Sequence, residues 1–164
     1  MQTFLPYTDY ARCAAILDSK RLQNQRNEAW IIHQSLTTPN YGWQHHPAVL
    51  MWQNHEYQLV DYALAICAEC DRRGIKDTEG KRQAFETLHR EYLRPVPDEI
   101  GFDLRRPWWM GVRQFHDSHM SNLLRKDPVH YHVFSYVVPD NLPYWWPTHF
   151  LRDKKLNLTQ REVA

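Results

Sequence analysis

Ten prolines divide this 164-residue chain, and helix-type periodicity fills the intervals between them. Proline has no N–H to give a helix interior and fits only the first turn. Each one therefore marks a helix start, a helix end or a non-helical run. This punctuation predicts an all-α fold, a single compact domain of about four main helices with an extended aromatic/proline-rich C-terminal wrap. Isolated helices of this composition are marginal, so their apolar stripes must pack on one another.

Thr8 and Asp9 are N-cap residues for a helix carrying Tyr10, Ala14, Ile16 and Leu17, which runs on, or restarts at Asp18, to about Leu36. A loop follows over residues 37–42. Pro47 suits the first turn of a long helix reaching about Arg73, with Val49, Trp52, Leu59, Ala63, Ile66 and Cys70 on its apolar side and Gly74 as its stop. Asp77 or Thr78 opens a further helix to about Leu93, ahead of Pro95 and Pro97. Pro107 opens another that ends near Asp127, before Pro128. Tyr131 to Pro147 has no helical period and reads as the wrap, with Val133 to Val138 as one short strand in it. Residues 1–150 are expected to form the domain, and 151–164 a polar tail with a loose final helix.

Net charge is +1, from 20 Lys+Arg against 19 Asp+Glu. That excludes a generally basic nucleic-acid coat and leaves room for a local basic cleft. No run of apolar residues is long enough for a transmembrane helix. No basic segment followed by an apolar run opens the chain, so no secretory signal is expected. Cys13, Cys67 and Cys70 form neither a disulfide nor a zinc pattern, which fits a reducing cytosol.

Three polar groups carry the candidate chemistry. On a helix, Arg21, Gln25 and Glu28 share one face, and Arg26, Trp30 and His33 another. A solvated ion-paired face explains the first set, and so does an arginine for phosphate beside a carboxylate for a developing cation. His45 and His46 precede Pro47 at a helix start, where free N–H groups attract anions and where a histidine also serves as a plain cap. His116 and His119, at i, i+3, have a spacing that holds metals, with His130, His132 or Asp117 as a third ligand. Nothing in the sequence fixes that ligand, so no metal or other cofactor is expected. Arg125 and Lys126 close the same helix, where they complement its dipole or grip a phosphate. The pairs Trp108-Trp109 and Trp145-Trp146 read mainly as core. Neighbours on a helix point about 100° apart, which leaves one member of the first pair to face a cleft.

Several blocks resemble the family of phage endonuclease V, the pyrimidine-dimer DNA glycosylase, and its bacterial branch above all. They are the opening Met1-Gln2-Thr3-Phe4-Leu5-Pro6, Leu17-Asp18, Lys20-Arg21-Leu22, Gln25-Arg26 and Glu28-Ala29. Gly42 through His45-His46-Pro47 follows, then Ala68-Glu69-Cys70 with Arg73-Gly74 and Lys76-Asp77-Thr78. Phe115-His116, Ser118-His119, Ser121 to Pro128 and His130-Tyr131 complete the set. The resemblance implies an all-α fold with the N-terminal segment threaded between helices. It implies a free α-amine that attacks the sugar C1′ and expels the base, and an imine that then allows β-elimination. An α-amine titrates near 8, so a useful fraction is neutral at pH 7. The resemblance assigns Glu28 to stabilise the cationic sugar, and Arg21, Arg26, Arg125 and Lys126 to hold phosphates. His45, His46 and His119 would line the pocket.

The chain departs from the phage pattern at two places. Gln2 is too large for ordinary methionine removal, so the expected nucleophile is the Met1 amine, or the Gln2 amine if Met1 is removed. Asn27 replaces an arginine directly before the glutamate. The expectation is a monomeric cytoplasmic DNA glycosylase with AP-lyase activity on damaged or modified duplex DNA. A non-catalytic nucleic-acid-binding module of the same fold, and an enzyme acting on free nucleotides or nucleosides, stay open as alternatives.

Overall fold

The computed structural model describes residues 1–94 and 105–147. Four long helices, α2 (Ser19–Thr37), α4 (Glu56–Arg72), α5 (Lys81–Tyr92) and α6 (Arg113–Lys126), are joined by two short ones, α1 (Tyr10–Ile16) and α3 (Pro47–Leu50). Helix α4 is the centre, packed against α1, α2 and α5. Its buried stripe of Leu59, Tyr62, Ala63, Ile66, Cys67 and Cys70 recurs at spacings of three and four, so α4 buries a broad stripe as a central helix must. No helix among the described residues is long and apolar enough to cross a membrane.

Two helix starts follow their caps. Asp9 accepts the Arg12 N–H at 2.7 Å and opens α1; Asp18 accepts the Arg21 N–H at 3.0 Å and opens α2. The chain therefore restarts at Asp18, with Leu17 extended between the two helices.

Four expected elements differ. The helix expected over 47–73 is two, because the chain turns at residues 51–54 and Asn54 takes a left-handed φ of 65°. The Met51 carbonyl accepts the Trp109 indole N–H at 3.0 Å, and the Trp52 indole N–H donates to Thr3 Oγ1 at 3.1 Å. Tertiary bonds to side chains thus anchor this turn. Helix α5 starts at Lys81, after Gly80 at φ 66°, and α6 starts at Arg113, after Gly111 at φ 101°, both later than Asp77 and Pro107 suggested. Left-handed glycines set both late starts. Residues Val133 to Val138 do not form a strand. His132–Tyr136 is a 3₁₀ helix whose Phe134 stacks on Tyr131 at 5.9 Å. The polar tail, the domain boundary at 150, Pro95 and Pro97 lie outside the described residues.

The first six residues form no helix or strand, yet Thr3 and Leu5 are fully buried. This segment is threaded over α2, α4 and α6, and side chains of all three bond to its main chain. A buried main chain without such partners would be costly, so side chains supply here what a β-ladder supplies elsewhere. Gln25 Oε1 accepts the Phe4 N–H at 2.8 Å, while Gln25 Nε2 donates to the Gln2 carbonyl at 2.9 Å. The Tyr62 hydroxyl donates to the same Gln25 Oε1 at 2.6 Å.

Candidate active site

The threaded segment ends at Glu28. The Met1 α-amine lies 3.9 Å from Glu28 Oε2, and the Gln2 N–H donates to that oxygen at 3.2 Å. The other carboxylate oxygen accepts the Asn24 side-chain amide at 3.2 Å, one helical turn back. These contacts are long for charge-assisted bonds, which usually close to about 2.7–2.9 Å.

The pair opens onto a cavity of about 680 Å³. One wall is the exposed face of α2, with Lys20, Arg21 and Asn24 beside Glu28; the other includes Lys126 from α6 and Tyr144 from the C-terminal wrap. That volume is within the usual range for small-ligand sites, about 300–1,000 Å³. Burial pushes the Tyr144 phenol up to about 12, so it stays a neutral donor.

Arg21 is tied in place. Its guanidinium meets Asp18 at 2.5 Å, and the Tyr131 hydroxyl donates to the same carboxylate oxygen at 2.6 Å. The α2 cap, an arginine on the cavity and the start of the wrap are one linked unit.

Met1, Gln2, Gln25, Glu28, Arg21 and Lys126 are thus brought together. The other expected site residues are elsewhere. Arg26 is buried on the opposite side of α2, donating to the Lys76 carbonyl at 2.9 Å with Asp77 at 3.7 Å. It fastens α2 to the α4–α5 loop and does not reach the cavity. His119 is fully buried and accepts the Leu5 N–H at 3.2 Å, so it lies beneath the threaded segment. His45 is exposed and is not on the cavity wall. His46 caps α3, its Nδ1 accepting the Ala48 N–H at 3.1 Å. Burial, then the positive Met1 amine, lowers the His46 pKa against the pull of Glu28, so His46 is within electrostatic reach of the pair. Arg125 donates to the Asp140 carbonyl at 3.0 Å and to Asn122, which ties the wrap to α6.

His116 and His119 direct ring nitrogens at Leu5, and among the described residues no group of three or more His, Cys, Asp or Glu is arranged for a metal. Of the first tryptophan pair, Trp109 is buried and Trp108 is half exposed. Sequence reasoning missed Lys20, Asn24 and Tyr144. Lys20 and Asn24 precede Glu28 by eight and four residues, a helical spacing that was readable; nothing in the sequence marks Tyr144.

The family model for pyrimidine dimer DNA glycosylase matches residues 1–83. The chain belongs to the pyrimidine dimer DNA glycosylase family. Membership brings a DNA glycosylase type of activity, with pyrimidine dimers in DNA as the family's substrate. The match spans the threaded segment and the α2 wall of the cavity; Lys126 and Tyr144 lie beyond it. No curated protein and no solved structure matches the chain.

Proposed function

We propose that this protein is a DNA glycosylase with AP-lyase activity, in which the Met1 α-amine is the nucleophile and Glu28 the carboxylate that serves it. The observation that carries the reading is the amine 3.9 Å from Glu28 on a cavity flanked by Lys20, Arg21 and Lys126. Phe4 and Leu5 of the threaded segment pack in the core, and the residues ahead of them deliver the α-amine to one carboxylate.

In the proposed reaction the neutral amine attacks C1′ of the damaged nucleotide. The glycosidic C1′–N bond breaks, and its electron pair leaves with the base, which takes up a proton. Glu28 stabilises the positive charge that develops on the sugar and accepts the proton shed by the amine nitrogen. The sugar ring then opens: the amine nitrogen's electron pair forms the C1′=N bond as the C1′–O4′ bond breaks, O4′ takes up a proton, and the imine left at C1′ acidifies the C2′ hydrogen. Loss of the C2′ proton expels the 3′ phosphate by β-elimination and nicks the strand. Lys20, Arg21 and Lys126 hold the flanking phosphates. The target nucleotide or its partner must leave the stack for the amine to reach C1′.

Borohydride trapping tests this. The protein is incubated with duplexes carrying an abasic site or a UV dimer, reduced, and mapped by mass spectrometry. The expected result is a covalent adduct on the Met1 nitrogen. A variant with one glycine added before Met1 displaces the amine by about 3.5 Å and is expected to give none. Absence of any adduct on the abasic duplex, or an adduct on a lysine alone, would overturn the assignment.

A further inference from the structure

Two buried histidines of α6 grip a single residue of the threaded segment from both sides. The Leu5 N–H donates to His119 Nδ1 at 3.2 Å, and His116 Nδ1 lies 2.8 Å from the Leu5 carbonyl. Main-chain donors fix both tautomers. The Gly111 N–H donates to His116 Nε2 at 2.9 Å, so the His116 proton is on Nδ1 and donates to Leu5. His119 accepts at Nδ1, so its proton is on Nε2. That nitrogen is buried and has no hydrogen-bond partner among the described residues.

An imidazole at 119 is a poor choice for packing alone. It lies against Phe4, Phe115 and Tyr144, where a leucine would fill space without stranding a polar atom. What the imidazole supplies is an acceptor for the one main-chain N–H at that point. Burial keeps both rings neutral, lowering His116 and taking His119 to about 3, so each keeps the bare nitrogen its role requires. Between Leu5 and Met1 the Phe4 N–H and the Gln2 carbonyl are held by Gln25, so Leu5 is the next main-chain anchor behind the amine, four residues away.

We propose that His116 and His119 are positioning residues, a clamp on Leu5 that sets the register of the N-terminal segment and hence the placement of the Met1 amine against Glu28. The proposal rests on the reading of Met1 as the nucleophile.

The test uses His119→Leu, His119→Asn, His116→Leu and His116→Asn in the full chain, with an abasic duplex and borohydride. Asparagine presents an acceptor or a donor near the Nδ1 position; leucine presents neither. A misplacement of about 1 Å costs on the order of 100-fold in rate. The leucine variants are expected to lose that much trapping rate at saturating DNA, with the half-saturating DNA concentration unchanged and the asparagine variants largely recovered. Leucine variants that trap at the wild-type rate would overturn the clamp, as would asparagine variants no better than leucine. Nitrogen-15 NMR of the wild-type imidazoles is independent of how the variants fold. It should show the Nδ1–H tautomer at His116 and the Nε2–H tautomer at His119, and any other pair overturns the proposal. If the wild-type protein gives no adduct, the nucleophile assignment fails, while the tautomer pair still decides whether the clamp exists.

Discussion

Glu28 and Glu69 are both glutamates on long helices next to cations, and their surroundings differ sharply. Glu69 takes Arg72 Nε and Nη2 at 2.7 Å each and Arg73 Nε at 2.6 Å. Arg73 continues to the Leu17 carbonyl at 2.6 Å and the Ala15 carbonyl at 2.8 Å, fastening the end of α1 to α4. The Arg72 bonds first, with Arg73 adding to them against the effect of burial, hold the Glu69 carboxyl at about 2. Glu28 has two bonds at 3.2 Å and an amine at 3.9 Å. One carboxylate is saturated by short charged bonds and serves the fold. The other keeps accepting capacity beside a cavity, which is what a group needs if it is to meet charge that develops only during a reaction.

The largest effects should separate the two. Glu28→Gln is expected to lower the trapping rate by about 10²–10³, the usual loss when one stabilising group of an active site is removed. Its stability should stay within about 0.5 kcal/mol of wild type, because the ion pair it removes is long and the amine it leaves unpaired opens onto the cavity. Glu69→Gln should do the reverse. It removes the negative charge that two guanidinium groups share, but Arg73 keeps its bonds to the Leu17 and Ala15 carbonyls and Arg72 is largely solvent-exposed, so the loss falls to about 1–3 kcal/mol from the ~3–5 of a fully buried pair. Urea unfolding and single-turnover trapping on both variants decide it. If Glu28→Gln unfolds as readily as Glu69→Gln, the distinction collapses.

Acid sharpens the same contrast at a smaller scale. Burial raises the Asp18 carboxyl, but hydrogen bonds from Tyr131 and Arg21 outweigh it and hold it at about 2, below its ordinary 3.8. Glu69 is held at about 2 against an ordinary 4.5. Both folded-state values are depressed, so the stability they contribute is complete above the unfolded values and is lost as pH falls through the folded ones. Urea midpoints should therefore be flat near neutrality and decline between about pH 4.5 and 2. Asp18→Asn and Glu69→Gln should each flatten part of that decline. A decline already complete above pH 5 would mean that other groups control it.

What the sequence revealed and what it hid divide along contact range. Helix α2 was readable almost to its ends, because Asp18 is a local cap and the apolar period is local. Arg26 is more instructive. Its helical register set it with Trp30 and His33, away from Glu28, and that face is the buried one, where Trp30 stacks on His33. The register was right about Arg26, and the family resemblance drew it toward the cavity. His119 and Tyr144 were hidden for another reason. The partner of His119 is Leu5, 114 residues away, and Tyr144 reaches the cavity only because the wrap folds back over α6. The break between α3 and α4 is of the same kind, anchored by an indole 58 residues from the carbonyl it bonds. Periodicity carries no information about such pairs, since each is set by packing between elements far apart in sequence.

The distinction between saturated and open groups extends to the cations of the cavity, where it predicts the smallest effect. Arg21 is engaged by Asp18 at 2.5 Å, whereas Lys126 carries no ion pair among the described residues. A cation that already neutralises a carboxylate releases fewer counterions when DNA binds than one that does not. With a net charge of only +1, the whole chain supplies little background attraction, so single cations should be visible in the salt dependence. Lys126→Ala should reduce the slope of log K against log salt by about 0.9, the value for one phosphate contact on duplex DNA. Arg21→Ala should reduce it by less, because removing the guanidinium also leaves Asp18 as a bare negative charge only partly offset by Tyr131. That carboxylate repels DNA at every salt concentration, so the Arg21 variant should bind more weakly at low salt than its slope alone explains. Fluorescence anisotropy with one abasic duplex over a series of salt concentrations measures both quantities. Equal slopes for the two variants would mean that DNA binding pulls Arg21 away from Asp18, making the pairing a property of the unbound protein alone.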